Sequence, residues 1–176
     1  MPDITFDGPG GSTRNQVLKG AHHEEEFTYG RNRWTAKATA IFDPRGYASG
    51  DVIGEPLTFA VNEPHASTGR VLGARVLDKS GQAVALDIVV YSSQTDGSGD
   101  RAQSDPTDTV LGTVAGVVPV LATDYATFAD NSFANVNSQF VFELDTSGYL
   151  MAEVVIREAV AFSASGDIVV TLLGVL

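Results

Sequence analysis

Histidine is the side chain that most often binds metals or moves protons near neutral pH, and the chain has three: His22, His23 and His65. The pair His22-His23 runs straight into Glu24-Glu25-Glu26, a local collection of nitrogen and carboxylate donors. Neighbouring residues on an extended chain point to opposite sides, so adjacent histidines are badly placed to share one ion. That stretch reads as a solvated polar segment, and His65, between Pro64 and Ala66, reads as a loop residue. Asp96-Gly97-Ser98-Gly99-Asp100, with Asp105 and Asp108 beyond it, offers the hard oxygen ligands that calcium takes. The regular ligand spacing and bidentate glutamate of an EF-hand loop are missing, which leaves an acidic loop. No serine sits in a Gly-x-Ser-x-Gly elbow. Gly8-Pro9-Gly10-Gly11-Ser12 lacks the Gly-Lys-Ser/Thr ending of a phosphate loop. There is no cysteine, which excludes thiol nucleophiles, thiolate metal sites and a disulfide-built scaffold. The expectation is a non-enzymatic protein with no catalytic residue, no cofactor and no metal.

One charged residue is more informative. Asp87 interrupts a strongly apolar run, and is expected to face an open side of a sheet or to pair with an arginine such as Arg75 on a neighbouring strand.

The elements that would position such residues are short strands. Residues 36–42 read as one, closed by the turn Asp43-Pro44-Arg45-Gly46. Residues 52–60 read as a second, with Pro56 placing it near an edge or bulge. In 70–77, Leu72, Ala74 and Val76 alternate with Gly73 and Arg75. In 83–91, Val84, Leu86, Ile88 and Val90 alternate with residues that include Asp87 and Tyr91. Period-2 alternation on both sides of the polar turn 78–81 is a hairpin signature. After a polar loop at 92–109 come apolar segments at 110–121, 139–144, 149–156 and 168–173. Residues 151–160, with their Ala and Glu, and residues 123–133 are helix candidates. The expected fold is all-β: an antiparallel β-sandwich or barrel over residues 35–176, with an extended N-terminal arm over residues 1–34 and at most one short helix.

The arm is expected from its Gly and Pro density and its lack of apolar periodicity. Phe6, Val17, Leu18, Phe27, Tyr29 and Trp34 are spaced along it as apolar anchors, and Arg14, Arg31 and Arg33 as basic ones. These nine are the candidate partner-binding residues. The chain's 176 residues carry a formal net charge of −11. Residues 1–37 hold five basic and five acidic residues, so the excess lies in the body. Such a charge opposes phosphate backbones, so nucleic acid is not an expected partner. The opening Met1-Pro2-Asp3 begins no signal peptide, and the longest apolar stretch, 110–122, is broken by Gly112, Gly116 and Pro119 and falls short of the roughly 20 residues that cross a bilayer. No membrane is expected.

A sequence order then becomes visible. Asp43-Pro44-Arg45-Gly46-Tyr47-Ala48-Ser49-Gly50-Asp51-Val52-Ile53-Gly54 is followed by Leu57-Thr58-Phe59, Gly69-Arg70-Val71-Leu72, Asp78-Lys79-Ser80-Gly81-Gln82 and Leu86-Asp87-Ile88. Gly148-Tyr149-Leu150 and Asp167-Ile168-Val169-Val170 fit more loosely. In this order the chain resembles head virion structural proteins of tailed bacteriophages, a group that includes capsid decoration (cement) proteins. The likeness covers about residues 40–92 and, less closely, 138–176. It implies the phage major capsid protein as partner, a homo-oligomer (dimer or trimer), synthesis in the host cytoplasm and residence on the outer capsid surface. No catalytic residues come with it. A phage tail or minor virion protein is the neighbouring alternative. A ligand- or carbohydrate-binding β-sandwich, with Trp34, Tyr47, Tyr91 and Tyr125 as a stacking platform, is a different one.

Overall fold

A computed structural model of the chain describes residues 4–7, 13–16, 33–61, 68–93, 99–100, 102, 104, 111–144 and 148–176. It divides into two units, Met1–Gly30 and Arg31–Leu176. In the first, β1 (Ile4–Asp7) pairs antiparallel with β2 (Thr13–Gln16), so part of the expected arm is laddered.

The second unit is an antiparallel β-sandwich. In chain order its strands are β3 (Arg33–Thr39), β4 (Gly46–Tyr47), β5 (Leu57–Ala60), β6 (Thr68–Asp78), β7 (Leu86–Tyr91), β8 (Val114–Val120), β9 (Tyr125–Phe128), β10 (Asn131–Glu143), β11 (Tyr149–Ile156), β12 (Val160–Ala161) and β13 (Ile168–Val175). One sheet runs β3-β13-β6-β10-β9 and the other β5-β11-β7-β8, with β4 and β12 forming a small ribbon at one end. The inner faces meet in one core. Ala74, Val76, Val170, Leu172 and Phe142 come from the first sheet, and Phe59, Leu86, Ile88, Leu150, Val154 and Ile156 from the second. The strands form because apolar residues recur at every second position, which buries one pleat face and leaves the other outward.

Alternation also decides two of the expected helix positions. Residues 149–156 are strand β11, because Leu150, Ala152, Val154 and Ile156 all enter the core, and burial on one pleat face overrides the helical preference of Ala and Glu. Residues 122–124 form a single 3₁₀ turn before β9 and β10, so 123–133 is a turn and hairpin. The strand expected over 52–60 is interrupted: Val52 makes an isolated bridge to Val155, and β5 begins at Leu57. Strand β3 starts at Arg33, so Arg33 and Trp34 belong to the body.

The expected hairpin between 70–77 and 83–91 is corrected more sharply. β6 pairs with β10 and β13, whereas β7 pairs with β11 and β8. Both segments alternate, but each lies at the middle of a different layer. The seven residues between them, 79–85, change sheets instead of folding back. Asp78, fully buried, organises that crossover: its carboxylate accepts from the backbone N–H of Ser80 (2.8 Å), the Ser80 hydroxyl and the N–H of Ala83 (2.8 Å). Gly81 (φ 71°) and Ala83 (φ 55°) take the left-handed backbone that the turn requires.

Nearby, the Tyr125 hydroxyl is buried with no hydrogen-bond partner among the described residues. Burial, and then the charges of Asp78 and Asp124, push its ionisation well above the ordinary tyrosine value. Between the unfolded value near 10 and the folded one, the unfolded chain has lost a proton that the folded chain keeps, so stability falls as pH rises, at about 1.4 kcal/mol per pH unit. Tyr125→Phe is therefore expected to raise stability by about 1 kcal/mol at neutral pH, by removing an unpaired polar group. It should also make the alkaline loss shallower; urea unfolding at pH 8 and pH 11 measures both.

Candidate functional site

Of the residues expected to bind a partner, Phe6 and Arg14 stand opposite each other in the β1–β2 ladder. Val17, Leu18, Phe27, Tyr29 and Arg31 lie outside the described residues, as do His22, His23 and His65. Arg33 is exposed on the outer side of β3. Trp34 turns inward, edge-on to Phe142 with ring centres 5.8 Å apart, over Gly174, where an added Cβ would lie 2.3 Å from the indole. It is a packing residue of the body.

Residues 43–54 form a braced segment of the sandwich. Tyr47 lies among Phe42 and Phe162, and its hydroxyl donates to Asp100 Oδ1 (2.8 Å). Asp100 also accepts from the backbone N–H of Gly54 (2.7 Å) and Asp43 (3.2 Å). Its oxygens, which looked like calcium ligands in the sequence, here hold two loops together. Asp96, Asp105 and Asp108 are outside the described residues, and among the described residues no group of three or more His, Cys, Asp or Glu could hold a metal. The segment continues alongside β11, where Val52 bridges to Val155 and the Ile53 N–H donates to the Val154 carbonyl (2.8 Å). The Val52 N–H donates to the Ala102 carbonyl (2.9 Å) and the Ser104 N–H to the Gly50 carbonyl (3.0 Å). Buried Glu153, on β11, accepts from the Tyr91 hydroxyl (2.9 Å) and the Ser104 hydroxyl (3.2 Å). Burial and the neighbouring Glu153 push the Tyr91 ionisation well up. Asp87 pairs with Arg157 (2.6 Å) on the outer surface, not with Arg75, which lies in the other sheet. Tyr47 and Tyr91 are buried and Trp34 points inward, so the four aromatic residues do not make an exposed stacking platform.

The outer face of the five-stranded sheet is different in kind. Its register lines up four rows: Thr39–Val169–Leu77–Phe133–Ala126, Lys37–Thr171–Arg75–Asn135, Thr35–Leu173–Gly73–Asn137, and Arg33–Val175–Arg70–Val141. The last row exists because of two irregularities: β6 carries one extra residue against β13, and β10 one extra against β6. A one-residue slip flips side chains to the other face. Here it sends Val71 into the core and Arg70 outward, although Arg75, an odd-numbered residue, also faces out.

Arg33, Lys37, Arg70 and Arg75 are all exposed on this face, and none forms an ion pair with a described carboxylate. Within these five strands Asp78 points into the core, and Glu143, opposite Thr68, lies at one end. Interspersed are Phe128 (63% exposed), Val141 (60%), Phe133 and the half-buried Leu173 and Val175. A chain of net charge −11 thus collects four cations and several apolar side chains on one sheet face. Such a mixture is what a protein-binding patch presents. Sequence reasoning placed only Arg33 among candidate contacts. Arg70 and Arg75 sit five residues apart, a spacing that puts them on opposite faces of a regular strand, so the signal was hidden by the irregularity. Comparison of the chain with family models, curated proteins and solved structures finds no match.

Proposed function

We propose that the chain is a non-enzymatic virion protein of a tailed bacteriophage, a decoration (cement) protein that binds the outer surface of the major capsid protein shell and stabilises the head by bridging adjacent capsomers. The observation that carries this reading is the exposed, cationic and apolar outer face of the five-stranded sheet on an otherwise acidic body. The motif order supports it as well. Asp43 to Gly54, the Gly69-Arg70-Val71-Leu72 strand and the Asp78 turn serve as braces, strand and crossover, all of them uses that preserve a rigid shape. A decoration protein must stay dispersed when free and gain contact area when bound. An acidic body supplies the first through self-repulsion, and the exposed outer face supplies the second.

The test is stoichiometry and attachment. Purified particles should contain the chain in numbers comparable with the major capsid protein, and the purified protein should bind heads that lack it and raise their resistance to heat. One or a few copies per particle, or no attachment to heads, would overturn the assignment.

A further inference from the structure

The four cations of the outer face stand at the corners of a rectangle. Along β3, Lys37 and Arg33 are four residues apart, which at the usual rise is about 13 Å. Along β13 the residues opposite Arg75 and Arg70 are Thr171 and Val175, again four apart. Across the sheet, Lys37 and Arg75 flank Thr171, and Arg33 and Arg70 flank Val175, so each pair spans two strand spacings, about 9.5 Å. Midway between the pairs lies Leu173, an apolar residue with the uncharged Thr35 and Gly73 beside it.

We infer that this face recognises an extended acidic segment of a protein partner, laid along β13, with carboxylates at positions i and i+4 and an apolar side chain at i+2. In an extended chain, side chains at i, i+2 and i+4 share one side and span about 13 Å. That length matches the distance between the cation pairs. Each carboxylate then sits between two cations, one from β3 and one from β6, while the i+2 side chain covers Leu173. Beyond Val175 the strands end around an open groove of about 320 Å³ that includes Arg70, Val141 and Leu176, where the segment's next apolar residue fits. A nucleic-acid strand is the poorer match: its closely spaced phosphates place charge over Leu173, and the net −11 of the chain repels a long polyanion. The inference rests on the outer face being the docking surface of the proposed head protein, and it specifies what that surface reads.

The experiment uses the full chain and a labelled peptide, tetramethylrhodamine-Gly-Glu-Thr-Leu-Thr-Glu-Gly-amide. Fluorescence anisotropy compares the wild type, Lys37→Gln with Arg75→Gln, and a control of equal net charge, Thr58→Glu with Ala60→Glu, on an exposed stretch of the other sheet; thermal melts verify that each is folded. Binding should weaken at least tenfold in the first variant, stay within twofold of wild type in the control, and weaken at least tenfold for a peptide with its two glutamates adjacent. Equal binding of both peptides, equal loss in the control, or tighter binding of a short DNA duplex overturns the inference. The same variants are then tested on phage heads that lack the protein. Heads bound equally by wild type and the first variant overturn the inference and leave the decoration reading standing. Peptide binding with no attachment to heads does the reverse.

Discussion

Asp78→Ala is expected to destabilise the body by about 3–5 kcal/mol, a third or more of the stability of a typical domain. The carboxylate is fully buried and accepts from two backbone N–H groups and one hydroxyl within a six-residue stretch. Alanine removes the acceptors and leaves the Ser80 and Ala83 N–H groups without a partner where β6 gives way to the other layer. A hydrogen bond to a charged group is worth about 1.5–3 kcal/mol, and each orphaned buried donor costs about 1–3 kcal/mol. Asp78→Asn keeps one acceptor oxygen in place and should fall between wild type and alanine. Denaturant unfolding followed by fluorescence measures the series; a loss below 1 kcal/mol for Asp78→Ala would mean that the turn holds its shape without the carboxylate.

Gly73→Ala is expected to cost about 3 kcal/mol, at the upper end of what overpacking a closed site costs. An added Cβ would lie 2.2 Å from the Val136 carbonyl oxygen and 3.2 Å from the Asn137 Cα. Both are backbone atoms of the paired strand and cannot rotate away. The substitution acts at the point where β6 and β10 shift register, so it should disturb the row containing Arg70 and Val141 as well as stability. Gly99→Ala is the matched comparison: its Cβ would meet nothing within 4 Å, and its effect on stability should be small. If the two substitutions have similar effects on urea midpoints, the close approach at Gly73 is not a real constraint.

The all-β class was legible because period-2 alternation is a local signal. Val84, Leu86, Ile88 and Val90 were expected to share a face, and all four are buried. Which strand pairs with which was not local. The segments on either side of Asp78 have the pattern of a hairpin, and only the side-chain capping of Asp78 and the left-handed Ala83 turn the chain into the second layer. Asp87 was expected to take an arginine partner, and it does, but the arginine is Arg157, seventy positions away on the chain. The cation rectangle was invisible for a related reason. Its four members come from two strands far apart in sequence, and the irregularity in β6 breaks the parity by which a reader assigns faces. Trp34 looked like an anchor of the arm because it follows a polar stretch, yet it lies against Gly174 and packs on the core.

The strand order of the five-stranded sheet has a consequence for synthesis. β13, residues 168–175, is inserted between β3 and β6 and pairs with both. While the ribosome is still making earlier residues, those two strands have no neighbour for their facing edges, and the longest ladder available to β6 is the one with β10. Open edges of that kind invite pairing with another nascent chain. The exposed cations Arg33, Lys37, Arg70 and Arg75 are set along those two strands, and charged side chains on an unpaired strand disfavour its pairing with a like-charged copy.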